Sequence, residues 1–149
     1  MQVGEYCNKE VIIMGKYEAP LEAACLMRKH NVGDVIIVED YDNDKTPVGI
    51  ITDRDIVLEI VALEVDPMAI SVIDITRRPF VTVNETDDIC ECTVHMKYHG
   101  VRRAPVVNDR GFLVGIITID DIVEILSDQL NDVVSLVSYQ QDHEQRLMA

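Results

Sequence analysis

Two short segments place a hydroxyl and a carboxylate three residues apart: Thr52-Asp53-Arg54-Asp55 and Thr118-Ile119-Asp120-Asp121. At a strand-to-helix junction this step puts both groups on one edge. A carboxylate accepts from both hydroxyls of a vicinal diol, and a threonine hydroxyl beside it donates or accepts. The helix N-terminus favours an anion. The same two residue types also serve as a plain helix cap with no ligand at all, and both uses fit the spacing.

Basic residues group at Arg28-Lys29-His30, Arg77-Arg78 and Arg102-Arg103. A guanidinium fork matches phosphate oxygens, although an arginine pair read alone is more often a solvated edge or a salt bridge. Other candidates are weaker. Asp40, Asp42 and Asp44 imitate the start of a calcium loop, but Lys45 stands where the loop needs glycine and Ile51 where it needs glutamate; an acidic hairpin turn is the better reading. His30 and His99 recur at equivalent helix ends, where a cation suits the helix dipole. His95 and His143 have no partner spacing that suits a metal. The sequence has no nucleophile–base arrangement, Walker loop or dinucleotide glycine fingerprint, so no catalysis and no catalytic cofactor are expected.

These groups sit in a chain of 149 residues with net charge −14 and 48% apolar residues. The apolar share is enough for a packed core. An acidic surface repels nucleic acid. Met1 to Glu10 lacks the basic start and apolar block of a signal peptide, and no apolar run reaches membrane-span length. A soluble, cytoplasmic protein is expected. Cys7, Cys25, Cys90 and Cys92 form no CxxC pair or zinc spacing and read as reduced, mostly packed thiols.

The elements that must position the Thr-x-x-Asp steps repeat along the chain. GIITDRDIV at 49–57 returns as GIITIDDIV at 115–123, seven of nine positions matching at an offset of 66. Upstream the offset is 69. It aligns Ile36-Ile37-Val38 with Pro105-Val106-Val107, His30 with His99, Met27 with Met96, Glu22 with Glu91, Val11 with Phe80, and Val3 and Glu5 with Val72 and Asp74. The three extra residues of the first copy fall in the polar turn at 40–45, where a surface hairpin tolerates them.

Each copy predicts β-α-β-β-α. A short run (Val11 to Met14, or Phe80 to Val83) precedes a helix, from about Ala19 to His30 in the first copy. Leu21, Ala24, Cys25 and Arg28 line up as that helix's buried stripe, with Cys90, Thr93, Val94 and Lys97 in the second. Two strands follow, Val35 to Val38 and Val48 to Thr52, and then a second helix. The fold class is α/β (α+β). A unit of this size buries too little alone, so two copies pack with pseudo-two-fold symmetry and leave two related clefts. The expected divisions are repeat one at 1–64, a linker and lead-in at 65–79, repeat two at 80–128, and a helical extension at 129–149.

A tandem β-α-β-β-α unit ending in Gly49-Ile50-Ile51-Thr52-Asp53-Arg54-Asp55, with Val101-Arg102-Arg103-Ala104-Pro105-Val106-Val107 in the second copy, resembles a pair of cystathionine-β-synthase (CBS) domains, or Bateman module. The resemblance runs from about Val3 to about Ser127. It implies a regulatory module that binds an adenosine-containing ligand (AMP, ADP, ATP, NAD or S-adenosylmethionine) between the repeats and acts on a partner protein. It also implies the disc-like homodimer common to such modules. Some modules of this fold bind nothing and serve only as interaction surfaces.

On that resemblance the better site takes Thr118 and Asp121 for ribose and Arg103, with Arg102 adjoining, for phosphate. The base lies on Val11, Ile12, Ile13, Val32, Gly33 and Asp34. The second, weaker site takes Thr52 and Asp55, with the base near Phe80, Val81, Thr82 and Val101. Asp34 stands there where repeat two has Arg103, and Arg54 compensates if it turns inward. Past the repeats, Leu126, Leu130, Val133, Val134 and Val137 continue a helical stripe, which packs either across a homodimer or back on its own core.

Overall fold

The computed structural model describes residues 1–41, 43–76 and 80–148. Asp42 of the acidic turn and the Arg77-Arg78 pair, with Pro79, lie outside the described residues. Repeat one runs β1 (Ile13–Gly15), α2 (Pro20–His30), β2 (Asp34–Tyr41), β3 (Asp44–Thr52) and α3 (Asp53–Ile56), preceded by α1 (Val3–Tyr6). The chain continues from α3 through a π-helical turn, Val57–Val61, and a 3-10 turn, Val72–Ile75. Repeat two then follows with β4 (Val83–Asn84), α4 (Ile89–His99), β5 (Arg103–Val107), β6 (Leu113–Thr118) and α5 (Ile119–Met148).

The two sheets are copies. β1 pairs parallel with β2, and β2 antiparallel with β3; β4, β5 and β6 repeat the pattern. Both hairpins slip register at the same place, between Ile37 and Val38 and between Val106 and Val107. Both first helices also stop alike. Asn31 (φ 52°) and Gly100 (φ 66°), 69 apart, are left-handed and end α2 and α4, as helix C-termini favour. β2 and β3 exceed the sequence expectation, because the hairpin ladder extends to Tyr41 and Asp44, whereas β1 and β4 are shorter and begin later than the expected runs from Val11 and Phe80.

The buried face of the first helices differs from the expected stripe. Pro20, Ala23 and Met27 are buried in α2, and Ile89, Cys92 and Met96 in α4. Leu21, Cys25, Arg28, Cys90, Val94 and Lys97 are exposed, Ala24 and Thr93 half-buried. The stripe is one residue out of phase. Small and sulfur-bearing residues on adjacent faces make two alignments almost equally apolar, and contact with the sheet selects one. Only two of the four thiols are therefore packed. Cys7 and Cys92 are buried, and Cys25 and Cys90 exposed. Burial, with the Asp87 charge adding to it, pushes the Cys92 thiol up to about 11.

Three clusters form the core. One holds Met14, Ala23, Met27, Val35, Ile37, Ile51 and Ile60 of repeat one together with Val72 and Ile75. Another holds Val83, Ile89, Cys92, Met96, Ala104, Val106, Ile117 and Ile122 of repeat two together with Val3 and Cys7. The lead-in segments are thus exchanged: the turn preceding each repeat packs into the other. The backbone shows the same exchange. Val3 N–H donates to Asp87 O at 2.9 Å and Val72 N–H to Glu18 O at 2.7 Å. The 65–79 stretch, read from sequence as a linker and lead-in, supplies core residues to repeat one. A third cluster joins the two sheets through Ile36, Val38 and Ile116, with Val11, Ile13, Ile50 and Leu113 around them.

Candidate functional site

Each second helix opens from the end of a strand with the same cap. Thr52 Oγ1 accepts the Asp55 N–H at 3.2 Å, and Asp55 Oδ2 accepts the Thr52 N–H at 2.9 Å. Thr118 and Asp121 repeat this at 3.2 and 2.9 Å. The capping use of the Thr-x-x-Asp step is therefore present in both repeats. Asp55 is buried and Asp121 half-buried. The next N–H on each side anchors the helix start to the residue just before the neighbouring strand: Asp53 donates to Gly33 O at 3.0 Å, and Ile119 to Arg102 O at 2.8 Å.

Two clefts flank the sheet–sheet seam. The larger, of about 680 Å³, is lined by Ile50, Thr52, Asp53, Arg54, Phe80, Val81, His99, Gly100, Val101, Arg102 and Arg103. The smaller, of about 200 Å³, is lined by Asn8, Glu10, Val11, Ile12, Val32, Gly33, Asp34, Ile36, Ile116 and Thr118. Their electrostatics are opposite. Three guanidiniums face the Thr52 cleft, against the single carboxylate of Asp53. Glu10 and Asp34 face the Thr118 cleft.

Arg103 and Asp34 explain the asymmetry. They are equivalent residues, 69 apart, and they form an ion pair across the pseudo-two-fold. On its own sheet Arg103 stands opposite Thr118, and Asp34 opposite Thr52. Arg103 lines the Thr52 cleft with His99, Gly100, Val101 and Arg102, and Asp34 the Thr118 cleft with Val32 and Gly33, each opposite to the cleft its strand partner suggests.

This regroups the sequence-level assignment. Arg102 and Arg103, expected beside Thr118, line the Thr52 cleft and join Arg54, Phe80, Val81 and Val101. Val11, Ile12, Val32, Gly33 and Asp34 do gather with Thr118. Ile13 and Thr82, equivalent residues, line neither cleft; Ile13 is packed in the seam. Asp55 is buried and is not among the residues that line its cleft. Asp121 faces a separate depression of about 400 Å³, with Glu124, Asp128 and Asp132 on α5 and Met1 and Tyr6 opposite. Sequence reasoning missed Asp53, His99, Gly100 and Ile50 in the larger cleft, and Asn8, Glu10, Ile36 and Ile116 in the smaller. His99 carried one signal, its recurrence at a helix end next to Val101. Its Nδ1 hydrogen-bonds the His95 carbonyl at 3.0 Å. Among the described residues, no group of three or more His, Cys, Asp or Glu is placed to hold a metal ion. No described helix is long and apolar enough to cross a membrane.

Two pseudo-symmetric β-α-β-β-α repeats with a cleft on either side of their seam define a class of paired-repeat folds. The CBS domain family model matches residues 3–62 and 72–128, and the chain belongs to that family. An uncharacterized protein of Methanopyrus kandleri is 38% identical over 84% of this chain, which spans 62% of that protein's length. Hypoxic response protein 1 of Mycobacterium tuberculosis is 35% identical over 80% of both chains. Among solved structures, a CBS domain protein from Pyrobaculum aerophilum complexed with AMP superposes with a TM-score of 0.71 at 27% identity, covering 81% of this chain and 89% of the other. The CBS domain pair of protein MJ0100, in complex with 5-methylthioadenosine and S-adenosyl-L-methionine, gives 0.72 at 26% identity, covering 87% and 98%.

Proposed function

We propose that this chain is a non-catalytic regulatory module that binds an adenosine-containing, phosphate-bearing ligand in the Thr52 cleft and relays occupancy to a partner protein. The observation that carries this is the convergence of Arg54, Arg102 and Arg103 on the Thr52 helix cap, in a chain whose net charge is −14. Size agrees. Small-molecule sites occupy roughly 300–1,000 Å³, a range that includes the larger cleft and excludes the smaller. The phosphate falls to the guanidiniums. The base falls to the apolar wall of Ile50, Phe80, Val81 and Val101. The ribose falls to the Thr52 edge, where Asp53 lines the cleft and Asp55 caps the helix. The AMP complex of the Pyrobaculum protein and the nucleoside complexes of MJ0100 support an adenosine ligand. The preference for phosphate rests on the arginines of this chain.

A thermal-shift series with AMP, ADP, ATP, NAD and S-adenosylmethionine tests the proposal. A ligand at a hundred times its Kd adds about 2.7 kcal/mol of stability. The expected result is a shift with phosphate-bearing ligands that Arg54→Ala/Arg102→Ala abolishes and that falls with added salt. Asp53→Ala and Asp55→Ala, each compared with its own unliganded midpoint, assign the ribose acceptor. No shift with any of the five overturns the proposal. The Arg103–Asp34 ion pair, which already satisfies Arg103, then favours a ligand-free interaction module.

A further inference from the structure

The cleft that gathers Arg54, Arg102 and Arg103 has a fourth basic side chain in its lining, His99. His99 is the last residue of α4, beside the left-handed Gly100 that ends the helix. Its Nδ1 lies 3.0 Å from the His95 carbonyl oxygen, one turn back. A carbonyl only accepts, so Nδ1 carries the proton and Nε2 is left as a bare ring nitrogen. Among the described residues nothing bonds Nε2. The rings of His95 and Tyr98 meet His99 edge-on, with centroids 4.5 and 5.0 Å away. The repeat supplies an internal control. His30 is the equivalent of His99, 69 residues earlier, yet it does not line the smaller cleft, whereas Val32, Gly33 and Asp34, the equivalents of Val101, Arg102 and Arg103, do. Imidazole and guanidiniums come together only in the Thr52 cleft.

Imidazole is the side chain whose charge ordinarily changes between about pH 5 and 8. Neutral, it offers Nε2 as an acceptor, and an ionised phosphate oxygen has no proton to give it. Protonated, it offers a second N–H and a charge-assisted hydrogen bond to that oxygen. The groups around His99 weigh on the two states in opposite ways. Arg102 and Arg103, following α4, and Arg54 on α3 oppose a positive charge in the cleft, while Asp53 on α3 favours it. Asp34 of β2 is engaged by its ion pair with Arg103. On α4 itself the titratable neighbours are His95 and Tyr98. Phe80 and Val81, across the cleft, are uncharged. A phosphate seated among the three guanidiniums reverses the balance, and the proton enters with the ligand.

We propose that His99 is a phosphate contact made only when protonated, so that the Thr52 cleft takes up a proton with its ligand and reads acidity as well as nucleotide. The inference rests on the ligand reading given above. The affinity gained this way is present at about pH 6 and lost as pH rises to about 8. The test is titration calorimetry of the full chain with AMP, ADP, ATP and NAD at those two pH values, for wild type, His99→Gln, His99→Lys and His30→Gln. Comparing variants at one pH cancels the titration of the ligand's own phosphate. His99→Gln is expected to bind about tenfold more weakly than wild type at the lower pH and equally at the higher, a charge-assisted hydrogen bond being lost only where it forms. His99→Lys, charged at both, is expected to keep the tighter binding at the higher pH. His30→Gln is expected to match wild type at both. Proton uptake, read from the dependence of the binding heat on the ionisation heat of the buffer, is expected in wild type and absent in His99→Gln. A ratio between wild type and His99→Gln that does not change with pH overturns the proposal and leaves the ligand reading in place. No binding of any of the four ligands at either pH overturns both.

Discussion

Arg103 and Asp34 hold opposite ends of one ion pair and line opposite clefts, so the charge that either cleft presents depends on that contact. Both groups are partly exposed, at 31% and 23%, so solvent moderates the pair. A phosphate in the Thr52 cleft competes with Asp34 for the guanidinium. Asp34→Ala removes the competitor. It is expected to tighten binding of a phosphate-bearing ligand about tenfold, the equivalent of roughly 1.4 kcal/mol, and to leave S-adenosylmethionine almost unaffected. Titration calorimetry reads both, and equal changes for the two ligands would contradict the competition. At this scale the sequence showed that an arginine and an aspartate occupy equivalent positions. It did not show that they meet, because that depends on how the two repeats pack about an axis that only the folded pair possesses.

Elements were legible where the chemistry is local. The Thr-x-x-Asp caps and the polar hairpin turn follow from residue types at fixed offsets. Gly49 and Gly115, which open the two G-I-I-T copies, have a less local reason. A Cβ at Gly115 would lie 2.7 Å from both the Asn8 carbonyl oxygen and Cys7 Sγ; at Gly49 it would lie 3.0 Å from Thr76 Cγ2. Both are places where an exchanged lead-in segment crosses a strand. Asn8 is itself bonded to Ile116, at 2.9 Å through each backbone N–H, and cannot retreat without losing those bonds. Gly115→Ala is therefore expected to destabilise by about 1–3 kcal/mol, and Gly49→Ala by less, because a threonine methyl yields more readily than a bonded carbonyl. Urea unfolding measures both. The helix stripes were misread for the opposite reason: nothing in α2 or α4 alone distinguishes two weakly apolar faces.

At the scale of the molecule, the repeat made the paired architecture and its two clefts readable, whereas the exchange of lead-in segments left no mark in either copy. Val3 and Val72 are equivalent and fully buried, yet each belongs to the core of the other repeat. Val3→Ala is expected to loosen repeat two, and Val72→Ala repeat one, each by about 1–2 kcal/mol from lost methyls and the space they leave. Hydrogen exchange identifies which half opens. Protection lost in the same repeat as the substitution, by numbering, would contradict the exchange.

The isolated bridge between Asn8 and Ile116 also sets an order of events in time. During synthesis the first ten residues emerge long before their docking strand. At roughly 5–20 residues per second, about ten seconds pass before β6 has been made. Through that interval Val3 and Cys7 have no core to enter, whereas repeat one has Val72 and Ile75 as soon as residue 75 has emerged. Repeat one can therefore complete its core first, while repeat two closes only when its own last strand and helix are made. The segment around Asn8 docks only once β6 has been made.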